Sequence, residues 1–335
     1  MPCTVLVGGF FGDEGKGKII SYFALRDKPK VIARGGVGPN AGHTIEYRGK
    51  KYFLRMVPSG FISDESRLLI GAGVLVNPTV LLKEIDELDC SSRIGVDKHC
   101  AIIEQRHIEE EKKSVHLVSK IGSTKNGIGT CSAERALRKA KLAKDLPELE
   151  TYITDVSEEM YTAVKEGENA LIEGTQGTYL SLYYGTYPFC TAKDVCASAI
   201  CSDVGIGPTH VDEVVIVFKA YVTRVGEGPL EGELPREVTL QRGWMEYGTV
   251  TGRERRAAPF DFNLAKKAVQ LNGATQIALT KMDIVFPDCR GETSYESLPQ
   301  EVKSFVEEVE QRAGAPVTLM GTGPGAEEII IRERR

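Results

Sequence analysis

Two acids and two lysines share one glycine loop, Gly12-Asp13-Glu14-Gly15-Lys16-Gly17-Lys18. The spacing fits G-x-x-x-x-G-K, in which glycines allow positive φ and close approach while backbone N–H groups and a helix N-terminus face an anion. That is chemistry for a phosphate. Position 19, however, is Ile, where the usual pattern has a Ser or Thr hydroxyl for Mg2+. A loop built only to hold phosphate gains nothing from carboxylates aimed at its ligand. The two acids therefore either face solvent or serve a metal ion and a proton.

Other stretches carry related chemistry. Arg34-Gly35-Gly36-Val37-Gly38-Pro39-Asn40-Ala41-Gly42-His43-Thr44 is richer in glycine than a plain connection needs, and it carries a histidine. Glu173-Gly174-Thr175-Gln176-Gly177-Thr178 follows a short apolar run, where parallel sheets gather ligands, which places Gln176 and Thr178 to touch one. Gly248-Thr249-Val250-Thr251-Gly252-Arg253-Glu254-Arg255-Arg256 supplies three planar, always-charged forks suited to carboxylates and phosphates, although arginines in a loop are as often simply solvated. In Thr280-Lys281-Met282-Asp283 the aspartate can accept from both the ring N–H and the exocyclic amine of guanine, a pairing adenine does not offer. Gly321-Thr322-Gly323-Pro324-Gly325 is placed to wall the same base. A phosphate loop and a guanine-reading tetrapeptide together point to GTP.

These loops need elements to hold them. Val5 to Val7 reads as a buried strand, and Ile19, Ile20, Phe23, Ala24 and Leu25 are spaced as a helix packing back on it. Further strands are expected at 31–33, 67–76, 169–172, 214–222, 276–279 and 317–320. Helices are expected at 78–88, opened by Asn77 and Pro78, and at 261–272, closed by Gly273. A third, capped by Ser132, carries Arg135, Arg138, Lys139, Lys141 and Lys144 on one basic face, and the charged run 104–113 is given no chemistry. The alternation predicts an α/β fold: a mostly parallel, doubly wound central sheet with a divergent P-loop and inserted helical and loop subdomains. One domain over 1–335 is expected, with a helical excursion at about 90–165.

Composition bounds the partners. Forty-seven acidic against forty-two basic residues leave a net charge of −5, which argues against nucleic acid or a membrane held by bulk charge. There is no apolar run of membrane-spanning length and no signal-peptide pattern. Eight cysteines without a C-x-x-C pair read as free thiols in a reducing compartment, so a cytoplasmic location is expected.

Taken in order, GDEGKGK at 12–18, NAGHT at 40–44, STKNGIG at 123–129, EGTQGT at 173–178, GTYPF at 185–189, KAYVTRVGEGP at 219–229, VTGRERR at 250–256, TKMD at 280–283 and GTGPG at 321–325 resemble the adenylosuccinate synthetase family. The resemblance spans nearly the whole chain. It implies a ligase that joins IMP and L-aspartate into adenylosuccinate for AMP synthesis, with GTP as co-substrate, a 6-phosphoryl-IMP intermediate, and release of GDP and phosphate. By the same carry-over, Asp13 is the base that takes the N1 proton of IMP, His43 stabilises and protonates the transferring phosphoryl, and Asp13 and the Gly42 carbonyl hold one Mg2+ per site. GTP would be met by Gly12, Glu14, Gly15, Lys16, Gly17, Lys18, Gly42, His43, Thr44, Lys281, Met282, Asp283, Gly321, Thr322 and Gly323. IMP would be met by Asp13, Glu14, Lys16, Asn40, Ala41, Gly42, His43, Thr124, Arg138, Gln176, Thr191 and Arg253. The aspartate carboxylate falls to Val250, Thr251, Arg253 and Arg255. Arg138 matches an arginine that the family donates to the neighbouring subunit's IMP phosphate, which implies a homodimer.

Three departures accompany the resemblance. Phe10-Phe11 stand where a polar residue and Trp are more usual, Val250 stands where threonine is common, and the chain is a compact variant, shorter than most of the family. Two other readings use some of the same residues. A GTP-binding regulatory switch needs the missing hydroxyl after Lys18 and leaves Asp13, His43 and the arginines idle. An ATP-dependent amide-forming ligase on a similar sheet predicts no preference for guanine.

Overall fold

The computed structural model describes residues 3–248 and 252–333. A ten-stranded sheet forms its centre, with strands β1 (Thr4–Gly8), β2 (Val31–Arg34), β3 (Arg67–Ile70), β4 (Ile94–Asp97), β5 (Ile153–Thr154), β6 (Ala170–Glu173), β7 (Glu213–Lys219), β8 (Gln276–Thr280), β9 (Val317–Gly321) and β10 (Ile329–Ile331). They lie in the order β10-β9-β8-β7-β1-β6-β2-β3-β4-β5. Every neighbouring pair is parallel except β9 with β10. The expected sheet is therefore present. Because β1, β2, β6, β8 and β9 run the same way, the glycine loops that follow them emerge along one edge, where a doubly wound sheet binds its ligands.

Both faces of the sheet are covered, which is why its strands read as near-continuous apolar runs. Val5 and Val7 join one layer with Ile172, Ile216 and Leu279, while Leu6 joins the other with Ile32, Leu171 and Val217. Local signals hold where they were clear. The Asn77 side chain accepts from the Val80 N–H at 3.1 Å to open the helix Pro78–Glu87, and Asp261 caps the helix Phe262–Asn272, which ends at Gly273 with φ 59°.

Several expected elements come out differently. The run 67–76 breaks after Ile70, because Gly71 and Gly73 pack against Asp203 where a Cβ on either would strike it; Leu75–Val76 pairs instead with Ala101–Ile102. The run 214–222 is two strands, β7 in the sheet and Tyr221–Val225 paired antiparallel with Arg255–Pro259. The basic helix runs Ile128–Ala136, with Ser132 inside it and not at its cap. Arg138 adopts φ 61°, so the expected single basic face does not continue to Lys144. The charged run is a helix, Gln105–Lys113. The stretch 90–165 is not wholly an excursion: β4 and β5 are sheet strands, and Val156–Lys165 buries Val156, Met160 and Ala163 in the core. No helix among the described residues is long and apolar enough to cross a membrane.

Asn272 shows how the site loops are tied to this frame. Its Oδ1 accepts from the Ala197 N–H at 2.9 Å, and its Nδ2 donates to Thr178 Oγ1 at 2.9 Å and the Ala268 carbonyl at 2.8 Å. Asn272→Ala strands these buried groups and should cost ~2–3 kcal/mol. The check is a lower denaturant midpoint with an unchanged slope; an unchanged midpoint would show that this side chain does not hold the 173–178 loop.

Candidate active site

Between β1 and the helix Lys16–Asp27 the loop turns through positive φ at Gly12, Asp13 and Gly15. Contact fixes Gly9, since a Cβ there would strike the Phe218 ring. Gly15 precedes the helix with no side chain capping it, so the first helical N–H groups remain available to an anion. Glu14 does not face that anion. Its side chain is 1% exposed, one oxygen accepts from the Phe10 N–H at 3.0 Å and the Gly12 N–H at 2.8 Å, and the other takes Lys16 Nζ at 2.7 Å. Lys16 also donates to the Gln176 carbonyl, and Lys18 to the carbonyls of Gly323 and Glu328. One acid and two lysines thus tie the P-loop to the loops after β6 and β9. Burial lowers Lys18 to about 8.

Asp13 is the more open of the two acids. A quarter of its side chain is exposed, and its Oδ2 lies 2.9 Å from Arg255 Nη2. The aromatic pair before it is explained by packing. Phe10 rests on the rings of Phe218 and Phe260, while Phe11 lies under the Arg224 guanidinium at 4.4 Å.

His43 opens a hairpin, His43–Tyr47 with Lys50–Leu54, that the sequence pattern did not announce. Its Nδ1 meets the Glu173 carboxylate and lies 3.2 Å from Ser59 Oγ, while the Ser59 N–H donates to Glu173 Oε2 at 2.6 Å. Arg34, fully buried, stands 3.9 Å behind the same carboxylate. Burial pushes the His43 imidazole down and Arg34 adds to it, with Glu173 pulling the other way. Burial alone would raise Glu173, but His43, Arg34 and Ser59 outweigh it and hold the carboxyl at about 2. The consistent arrangement is an ionised Glu173 balanced by Arg34, with a neutral His43 that donates from Nδ1 and turns a lone pair outward at Nε2. Sequence reasoning did not single out Glu173, Ser59 or Arg34. The available signal was an acid ending an apolar strand, since a buried carboxylate requires partners.

The His43 Nε2 is buried with no hydrogen-bond partner among the described residues, and so are Asn40 Oδ1, Gln176 Nε2, Thr191 Oγ1 and Arg255 Nε. Buried polar atoms are normally paired, so five unpaired ones among residues drawn from distant stretches set these positions apart. Of those five only Gln176 also has positive φ, although Asp13, Arg138 and Lys281, named with it from the sequence, do too among the eight such non-glycine residues described. The loop carrying Asn40 is pinned by the Gly36 N–H on Asp203 at 2.7 Å and by Lys193 bridging Asp203 and the Gly36 carbonyl.

At the far end Thr280 Oγ1 donates to the Glu14 carbonyl at 2.6 Å, joining the tetrapeptide Thr280–Asp283 to the P-loop. Asp283 is 5% exposed and pairs with Arg290 at 3.2 Å; Thr322 is fastened to the Glu292 carbonyl at 2.9 Å. Arg253 reaches the turn that holds Thr124, donating to the Gly122 carbonyl at 2.9 Å. Val250 and Thr251 lie outside the described residues. Arg138 is exposed on the insertion and forms no ion pair with the other candidates among the described residues. Asp13 and the Gly42 carbonyl offer only hard oxygen donors, the type Mg2+ takes. A second cluster, Glu104, His107 and Glu134, is filled by Arg106, which pairs with both carboxylates.

The buried imidazole sets an acid limit on stability. Folded His43 binds a proton less readily than an ordinary imidazole at 6.5, so the unfolded chain takes it up first as pH falls and stability declines below about 6.5. Glu173, held below its ordinary 4.5, adds a second loss between about 4.5 and about 2. The melting temperature should therefore drop between about pH 7 and pH 5.5, and drop less in His43→Asn. Equal slopes in the two proteins would contradict the neutral, buried assignment.

Comparisons with known proteins converge. A family model described as adenylosuccinate synthetase matches residues 5–151 and 140–288. The chain is 52% identical to an adenylosuccinate synthetase of Methanosphaera stadtmanae, covering 100% of this chain and 99% of that one. It is 54% identical to one of Methanocaldococcus jannaschii, covering 98% and 96%. The compact length is therefore shared with these relatives. Among solved structures, a fully ligated adenylosuccinate synthetase from Plasmodium falciparum superposes with a TM-score of 0.91 at 24% identity, covering 98% of this chain and 99% of that one. A cyanophage S-2L succinoaminodeoxyadenylate synthetase bound to dGMP and dATP superposes with a TM-score of 0.80 at 25% identity, covering 99% and 96%.

Proposed function

The chain belongs to the adenylosuccinate synthetase family and is a GTP-dependent ligase of IMP and aspartate in purine biosynthesis; we propose how its residues divide that work. The observation that carries the division is the split between the two loop acids. Glu14 is spent on Phe10, Gly12 and Lys16, whereas Asp13 keeps an accessible carboxylate beside Arg255. Asp13 is the base: it removes the N1 proton of IMP, and the electron pair moves to O6, which attacks the γ-phosphorus of GTP and expels GDP. The aspartate amine then displaces phosphate from C6 of the 6-phosphoryl-IMP so formed.

His43 serves the phosphoryl group. An anionic oxygen beside Nε2 favours the imidazolium, and Glu173 balances the new charge at Nδ1, so Nε2–H can donate to the group in flight. The uncapped start of the helix Lys16–Asp27 and Lys16 face the phosphates, while Asp283 and Lys281 read guanine. Asn40, Thr124, Gln176, Thr191 and Arg253 hold IMP, and Arg253 and Arg255 clamp the aspartate carboxylate, with Val250 and Thr251. Asp13 and the Gly42 carbonyl would hold Mg2+, which neutralises charge on the transferring phosphoryl when bound. Glu14 and Lys18 act by bracing the nucleotide loops.

We infer a single domain over 1–335 and a homodimer in which Arg138 completes the neighbouring IMP site. An exposed arginine in strained backbone supports that role. The eight cysteines are all free, seven of them buried, which suits a cytoplasmic enzyme.

Two experiments bear on this division. Asp13→Ala should keep GTP affinity but lose ~10²–10⁴-fold in IMP-dependent phosphate release, and retained turnover would remove Asp13 as the base. Mixing an Arg138→Leu chain with an Asp13→Ala chain, each inactive alone, should restore measurable adenylosuccinate formation through hybrid dimers. No recovery would count against a site shared between subunits.

A further inference from the structure

Glu246 has no part in the division above, yet it gathers the buried charge next to Asp13. Its Oε2 takes Lys219 Nζ at 2.7 Å and pairs with Arg255 Nη1. Its Oε1 accepts from the Tyr221 hydroxyl at 2.7 Å and lies 3.8 Å from Lys281 Nζ. Tyr221 is itself fixed by stacking on Trp244 at 4.6 Å. Lys219 is 2% exposed and Arg255 7%, so neither cation has water to fall back on. A buried cation without an anion is costly; Lys219 is paired with this carboxylate and Arg255 shares itself between it and Asp13.

The backbone sets Glu246 opposite Arg255. The Arg255 N–H donates to the Glu246 carbonyl at 2.9 Å, Tyr247 bridges Glu254, and the Gly248 N–H donates to the Arg253 carbonyl at 2.8 Å. Glu246 and Arg255 therefore form the stem of the loop that leads to Arg253. Arg255 divides its fork, Nη1 on Glu246 and Nη2 on Asp13. A carboxylate arriving in the site meets Nη2, taken from Asp13, and the unpartnered Nε, because Nη1 is anchored on Glu246. A guanidinium already fixed by one arm loses less freedom when the second arm binds than one swinging from its stem.

We propose that Glu246 is the positioning residue of the aspartate clamp: by anchoring one arm of Arg255 it allows the other to pass from Asp13 to the carboxylate of the incoming amino acid. This rests on the reading of Arg255 as part of that clamp. In this proposal Glu246 reaches the aspartate carboxylate through Arg255, while its 3.8 Å approach to Lys281 Nζ is why the KM for GTP is measured alongside.

Steady-state assays on Glu246→Gln, Arg255→Lys and the double variant test it. Losing one charge-assisted contact predicts a rise of ~10-fold in the KM for aspartate in Glu246→Gln, with the KM values for GTP and IMP changed no more than about twofold. The double variant should show less than the product of the two single effects, because both changes act on one arm. An aspartate KM within twofold of the wild type, an equal rise in all three KM values, or multiplicative effects would each overturn the proposal. If Arg255→Lys is also silent toward aspartate, the clamp reading fails with it; if only Glu246→Gln is silent, the clamp stands and Glu246 alone is dismissed. Should Glu246→Gln not fold, Glu246→Asp keeps the charge on a shorter arm. It should raise the aspartate KM several-fold while leaving the nucleotide values in place, and unchanged aspartate kinetics there would overturn the proposal equally.

Discussion

The rest of the site depends on a buried carboxylate engaged entirely by its own loop. Glu14 turns back into its own loop and accepts from two backbone N–H groups that the sharp turn at Gly12 and Asp13 would otherwise leave unpaired. It also holds Lys16, and through Lys16 the Gln176 carbonyl beyond β6. Its own carbonyl receives the Thr280 hydroxyl from β8. A buried ion pair contributes little net stability, since desolvation offsets attraction, but breaking one costs ~3–5 kcal/mol. The consequence is geometric: the ends of β6 and β8 are locked to the loop after β1, and its remaining acid lies beside Arg255.

A second buried set works alongside the first. Arg34, Glu173 and Ser59 surround the inner nitrogen of His43 and leave the outer one free of protein partners among the described residues. In this dry setting the charge state of the imidazole answers to whatever anion stands at Nε2, because solvent screens neither. The role proposed for His43 and the acid dependence predicted for the fold thus rest on one buried imidazole.

Much of this was legible from residue types. The glycine loops, the apolar runs before them and the caps at Asn77 and Asp261 foretold a parallel sheet with its site on one edge, because those signals are local. The inward turn of Glu14 was not legible, since the acids at 13 and 14 are alike as residue types and only the fold separates them. The break at Gly71 and the stop at Arg138 were missed for a related reason. The first arises from contact with Asp203, far along the chain, and the second from a backbone conformation that arginine seldom adopts. The partners of His43 come from β2, β6 and the segment before β3, a convergence that strand order alone brings about.

The division of labour between the two loop acids is tested most directly by a structure of the enzyme with IMP and GTP bound. An Asp13 oxygen should lie within ~2.6–3.2 Å of N1 of the purine, with Glu14 still on the N–H groups of Phe10 and Gly12. Glu14 turned onto the purine, with Asp13 left in solvent, would contradict the account.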